Sequence, residues 1–73
     1  MLLLTLDSTS LDRVGYDPAS KVLLVVFRDR SSYHYYGVPY AVFENLRSGP
    51  SKGAYFNRAI RGSYRFLPVP GED

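Results

Sequence analysis

The run Val22-Leu23-Leu24-Val25-Val26-Phe27 is apolar at six consecutive positions and β-branched at three of them. Successive side chains of a strand point to opposite faces, so a run without polar alternation belongs in the middle of a sheet, covered at least in part on both sides. A central strand from Lys21 to Arg28 is therefore expected, and the segments around it must supply its partners. Before it, Asp17-Pro18-Ala19-Ser20 reads as a turn, with Asp at the first position and Pro, whose φ is preset, at the second. Between Ser10 and Tyr16 a short strand is expected, with Val14 and Tyr16 on one face. Leu11 is out of phase with them, which predicts a bulge or a late strand start. Leu6-Asp7-Ser8-Thr9-Ser10 favours a turn, because short polar side chains bond their own backbone. After the central strand, Arg28 to Ser32 reads as a charged hairpin loop. Ser32 to Gly37 reads as a third strand, with Tyr33 and Tyr35 on one face and Ser32, His34 and Tyr36 on the other.

Helical spacing begins after Pro39, which suits the first turn of a helix over Tyr40 to Ser48 with Val42, Phe43 and Leu46 as its apolar stripe. Gly49-Pro50 ends it. Ser51 is a suitable N-cap for a second helix from about Lys52 to Arg61, closed by Gly62. On that helix Phe56 and Ile60, with Gly53 and Ala59 beside them, form the side that meets a core. Lys52, Tyr55 and Arg58 follow at spacings of three on the other side, with Arg61 further round. The alternation Tyr64, Phe66 with Arg65 and Leu67 between suggests a final extended segment, a candidate fourth strand, and Pro68 to Asp73 reads as a flexible tail. The expected class is α+β: a three- to four-stranded antiparallel meander followed by two short helices packed on one face. Val22, Val25, Phe27, Phe43, Leu46, Phe56 and Ile60 are its expected buried residues.

Length makes this one domain, residues 1–73 with a core of about 6–66, and a thin one, since chains of this size bury only ~60% of their unfolded surface. There is no cysteine, so neither a disulfide nor a thiolate metal site reinforces it; a monomer or a small homo-oligomer is expected. Met1 to Asp7 is apolar but too short for a signal-peptide core, and no run approaches the ~20 apolar residues that span a bilayer. A cytoplasmic protein without membrane contact is expected.

Ser51-Lys52-Gly53, Tyr55-Phe56-Asn57-Arg58, Ile60-Arg61-Gly62 and then Tyr64 resemble the signature of the KTSC domain, a short module named for its occurrence at the C-terminus of some lysyl-tRNA synthetases. Val14-Gly15-Tyr16-Asp17-Pro18, Val26-Phe27-Arg28, Tyr35-Tyr36 and Val38-Pro39 extend the likeness over roughly Leu6 to Phe66. The resemblance implies a single compact domain that touches nucleic acid.

The residues themselves point to binding rather than catalysis. His34 is the only histidine, and nothing in its strand brings a serine and a carboxylate to it. Asp7, Asp12 and Asp17 recur every five residues, a spacing that neither helix nor strand gathers onto one face, so no metal site and no cofactor are expected. Glu44 and Arg47 read as a solvated ion pair. Charge is instead local: between Pro50 and Pro70 there are four basic residues, Lys52, Arg58, Arg61 and Arg65, and no acid, whereas residues 1–49 hold five of each. Unpaired amides at the start of the second helix, with Lys52 beside them and no side chain on Gly53, favour an anion; Gly53 equally permits close packing on a strand. Arg58 and Arg61 either clamp phosphates or pair with Asp17, Asp29 or Glu44, and Tyr55 either stacks a base or covers the core edge. Ser51, Lys52, Gly53, Tyr55, Arg58, Arg61 and Arg65 are thus the expected nucleic-acid or anion site. RNA or tRNA is the leading partner, with an acidic protein surface or a phosphorylated small ligand as alternatives.

Overall fold

Val22–Phe27 runs through the middle of a sheet with a paired strand on each side, as two apolar faces require. The computed structural model describes residues 3–70. In chain order its elements are strand β1 (Leu3–Thr5), β2 (Leu11–Asp17), β3 (Val22–Phe27), β4 (Ser32–Tyr36), helix α1 (Tyr40–Ser48), helix α2 (Lys52–Tyr55) continued directly by a π-helical turn (Phe56–Ile60), and β5 (Phe66–Pro68). All five strands form one antiparallel sheet in the order β1-β2-β3-β4-β5, and the helical segments packed on one face make it an α+β meander. The sheet has five strands where three to four were expected, and the candidate strand after the second helix is present as β5. Leu3-Leu4-Thr5 pairs with Arg13 to Gly15, but three residues are too few to show an alternation in sequence. The last strand begins at Phe66 and reaches Pro68, and the Val69 amide donates to the Ser32 carbonyl at 2.9 Å. This part of the expected tail therefore belongs to the sheet, with proline on an edge strand where its missing N–H costs no ladder bond. The rest of that tail, 71–73, lies outside the described residues.

The out-of-phase leucine has the expected consequence. Leu11 pairs with Phe27 and Arg13 with Val26, so Asp12 is the extra residue of a β-bulge, and Leu11 and Val14, three positions apart, are both buried on the helix side. The turns are held as their sequences suggest. Ser8 Oγ accepts from the amides of Ser10 and Leu11 at 3.3 and 3.2 Å. Asp17 accepts from the Ala19 amide and the Ser20 hydroxyl at 3.1 and 2.8 Å, and Asp29 accepts from the Ser31 amide and hydroxyl at 2.9 and 2.6 Å. Lys21 and Arg30 leave these turns with φ of 58° and 76°, the left-handed conformation that completes each reversal.

Leu23, Val25 and Tyr35 from the sheet meet Phe43 and Leu46 of α1 and Phe56 and Ile60 of the second helical segment in one core. Phe56 stands edge-on to Phe27 and to Tyr35, with ring centroids 5.4 and 5.5 Å apart. Tyr16 stacks on Phe43 at 5.0 Å and donates its hydroxyl to the Val38 carbonyl, fixing the corner before α1. Of the expected core, Val25, Phe43, Leu46, Phe56 and Ile60 are buried, whereas Val22 and Phe27 are half-buried. Val22 and Val25 are three apart on an unbroken strand and therefore face opposite sides; Leu23 fills the place on the helix face. Val22, Leu24, His34 and Tyr36 lie on the other face, which the helices leave uncovered.

Helix α1 keeps its expected bounds. Gly49 ends it at φ −75°, so the glycine is needed for space: a Cβ there would stand 2.7 Å from the Asn45 carbonyl oxygen. The second helix departs from expectation twice. Ser51 makes no side-chain cap hydrogen bond, and the α-helix gives way after Tyr55 to a π turn, seen in the Arg61 amide donating to the Phe56 carbonyl five residues back at 2.9 Å.

Phe56→Ala should cost about 3–5 kcal/mol in a urea melt, because it leaves a cavity against Phe27 and Tyr35. Val22→Ala, on the uncovered face, should cost roughly 1 kcal/mol or less. The two aspartate turns carry a pH signature. Hydrogen bonds from Ser20 and Ala19 hold the Asp17 carboxyl below its ordinary value, and bonds from Ser31 do the same for Asp29. Their contribution to stability is present above the ordinary carboxyl range and is lost as pH falls through the lower folded values. Ser20→Ala and Ser31→Ala should each move the matching aspartate back up in an NMR titration of the side-chain carboxyl carbons.

Candidate functional site

The second helical segment is anchored by Phe56 and Ile60, and everything that faces away from them is available for contact. Arg58 stands with its guanidinium carbon 5.4 Å from the centre of the half-buried Tyr55 ring, an arrangement that orders both side chains. Arg61 is exposed just beyond the π turn. It lies close enough to the largely buried Tyr35 to oppose the upward push that burial gives that phenol's pKa.

Lys52 is committed differently. Its ammonium donates to the Gly49 carbonyl at 2.8 Å, placing a positive charge against the C-terminal end of α1, where the helix dipole is negative. Ser51 is exposed, and its carbonyl accepts from the Tyr55 amide at 2.9 Å. Gly53 lies against the β1–β2 turn: a Cβ built on it would meet the Ser10 hydroxyl at 2.7 Å. Arg65 is exposed, and its carbonyl accepts from the Tyr36 amide at 2.9 Å. Phe66 pairs with Tyr35 on the helix face, so alternation places Arg65 with Tyr36 on the uncovered face. The structure thus brings Tyr55, Arg58 and Arg61 to one helical segment, sets Ser51, Lys52 and Gly53 at the corner before it, and puts Arg65 across the sheet.

Carboxylates go elsewhere. Asp12 pairs with Arg13 and Arg28 at 3.4 and 3.2 Å, and Glu44 pairs with Arg47 at 2.6 Å while also accepting from the Tyr40 hydroxyl. These donors, Tyr40 first and then Arg47, hold the Glu44 carboxyl below its ordinary range. The pairings considered for Arg58 and Arg61 with Asp17, Asp29 or Glu44 are not formed, and among the described residues neither arginine has a carboxylate within 4.0 Å. His34 sits edge-on to Tyr36 at 6.2 Å, and no group of three His, Cys, Asp or Glu side chains gathers among the described residues.

Sequence reasoning missed one feature of this end of the molecule. Arg61 overhangs a cleft of about 420 Å³ bounded by the β3–β4 hairpin and the β1–β2 turn, lined by Phe27, Tyr33, Asp29, Ser31 and Ser10. These residues are spread over more than fifty positions and carry no spacing signal. Only the phase of Phe27 and Tyr33, on the same face as the helices, points to it in sequence.

Among known proteins, the KTSC domain matches residues 7–64 of this chain. A lysine–tRNA ligase of Nostoc sp. is 39% identical over 51 residues, covering 70% of this chain and 9% of the ligase. A protein of Tsukamurella paurometabola is 33% identical over 63 residues, covering 86% of this chain and 94% of that one. Among solved structures, a KTSC domain protein from Yersinia pestis superimposes with a TM-score of 0.90 at 31% identity, over 93% of this chain and 96% of that one. The chain therefore spans about a tenth of the ligase and nearly the whole of the other two proteins.

The close approach at Gly53 can be measured in a double-mutant cycle. Alanine is the better helix former by about 0.5–1 kcal/mol, so Gly53→Ala should stabilise the protein by that amount in a Ser10→Ala background. In the parent, the Ser10 hydroxyl opposes the new Cβ and the gain should vanish or reverse. An equal gain in both backgrounds would show that Ser10 does not restrict position 53.

Proposed function

The chain belongs to the KTSC domain family, and from that premise we propose that it is a small non-catalytic binding module for nucleic acid, RNA in the first place, working in the cytoplasm. The observation that carries the reading is the grouping of Arg58 and Arg61: like Arg30 and Arg65 they are exposed and have no carboxylate among the described residues, but these two share one helical segment with Tyr55. Guanidinium groups with free donors suit phosphate oxygens, and the Tyr55 ring beside Arg58 offers a stacking surface of the kind that receives unpaired bases. The π turn that carries Arg58 is an element found frequently at functional sites. A relative named as a lysine–tRNA ligase supports RNA over other polyanions.

In this reading Lys52 strengthens the local potential while holding the end of α1, and Gly53 and Ser51 shape the corner. Arg65, across the sheet, is a peripheral contact at most. A formal net charge of +2 makes attraction local to this surface and not a property of the whole molecule.

Arg58→Gln combined with Arg61→Gln should leave the thermal midpoint within a few degrees, as exposed substitutions do. Binding of a short single-stranded RNA at low salt should weaken, and the slope of log K against log salt should flatten by roughly one to two, one per lost phosphate contact. Unchanged affinity and slope in a folded double variant would overturn the nucleic-acid reading. A protein partner that survives nuclease treatment and is lost in the same variant would replace it.

A further inference from the structure

The cleft under Arg61 has a chemistry distinct from the Tyr55–Arg58 surface. Its floor is aromatic: the Phe27 and Tyr33 rings meet edge-on at 5.9 Å, and Phe27 is backed by Phe56 at 5.4 Å. Its rim is polar. Arg28 is tied down there, donating three of its five N–H groups to the Ser8 carbonyl, Asp12 and the Leu6 carbonyl at 3.1, 3.2 and 3.4 Å, so it forms a wall whose charge is already matched by Asp12. Arg61 is the cation left to serve the opening, having no carboxylate among the described residues.

Two hydroxyls stand on the rim with it. Ser31 Oγ donates to Asp29 Oδ1 at 2.6 Å and keeps its lone pairs, and Ser10 Oγ is fixed beside the Gly53 backbone. Asp29 uses Oδ1 for both of its bonds to Ser31, which leaves Oδ2 as an acceptor. An aromatic floor, one guanidinium without a carboxylate, the Ser10 hydroxyl as donor, and the Ser31 oxygen and Asp29 Oδ2 as acceptors form a set that suits a nucleotide. A nucleobase offers the flat face, a phosphate the anion, and a ribose the hydroxyl donors. The volume of about 420 Å³ lies within the ~300–1,000 Å³ of small-molecule sites.

We propose that this cleft holds one nucleotide unit, with the base against Tyr33 and Phe27, the phosphate on Arg61 and Ser10, and the ribose hydroxyls toward Asp29. The unit is either a free nucleotide or one residue of a bound RNA strand; only the second form rests on the nucleic-acid reading above.

The test uses isotope-labelled full-length protein and amide chemical shifts, with adenosine 5′-monophosphate, inorganic phosphate and a short single-stranded oligoribonucleotide as separate probes. Expected are saturable changes at Ser10, Phe27 to Tyr33 and Arg61 with the mononucleotide, and weaker ones with phosphate, which has no ring to stack. Arg61→Gln should weaken mononucleotide binding about tenfold, the loss of one charge-assisted contact. Tyr33→Leu, which removes the stacking ring, should weaken it several-fold; both variants are checked as folded by their dispersed spectra. If the oligoribonucleotide moves the same amides, the strand enters the cleft. If the mononucleotide saturates the cleft and the oligoribonucleotide does not bind, the cleft proposal stands for a free nucleotide and the RNA reading falls. Changes confined to Tyr55 and Arg58 with the oligoribonucleotide, and none in the cleft with any probe, overturn the cleft while leaving the RNA reading intact.

Discussion

Phe56 docking edge-on against Phe27 and Tyr35 is the contact on which the placement of the second helical segment depends. A helical segment of nine residues has little stability of its own, so its position is set by what it buries. Phe56 and Ile60 bury completely, and that orientation turns Arg58 and Arg61 to solvent. The change from α to π geometry at Phe56 belongs to the same constraint: one added residue per turn lets the segment keep its two anchors inside while Arg61 comes round to the rim of the cleft.

The sheet makes that docking possible through register. The bulge at Asp12 rotates Leu11 back to the helix side, so that it and Val14 both enter the core, and it leaves Asp12 paired with Arg28. Arg28 in turn ties the β1–β2 turn, through Ser8 and Leu6, to the end of β3. Ser10 is thereby held where Gly53 passes and where the cleft opens. A surface ion pair contributes little energy alone, but here it fixes the position of a loop that lines a site.

Much of this was legible in the sequence wherever one local rule decided the outcome. Six apolar residues in a row demanded a central strand, Asp17-Pro18 and the charged run Arg28 to Ser32 placed turns, Leu11 out of phase predicted the bulge, and Pro39 with Gly49 bounded α1. The failures came where structure is set by partners remote in sequence. β1 exists because β2 offers it an edge, not because three residues prefer extension. Val22 is apolar for the uncovered face, which a run without alternation cannot distinguish from the covered one. Ser51 has the composition of a cap, yet the corner after Gly49 holds it at φ −122° and ψ 81°, and its hydroxyl makes no cap bond. Lys52 reads as free charge until the Gly49 carbonyl is seen beside it. Of the candidate site, the segment and its exposed arginines were readable from spacing and charge. The cleft was not, because Ser10, Tyr33 and Arg61 meet only through the sheet's topology.

In the function proposed above, one end of the helix-covered face, around Tyr55, Arg58 and Arg61, receives single-stranded RNA. Ultraviolet cross-linking of the protein to a short single-stranded RNA, followed by mass spectrometry of the linked peptides, reads the contacts directly. Adducts are expected on Tyr55 and Tyr33, which flank the two arginines, and none on Tyr36, which lies on the uncovered face. Adducts on Tyr36 in place of Tyr55 and Tyr33 would contradict it.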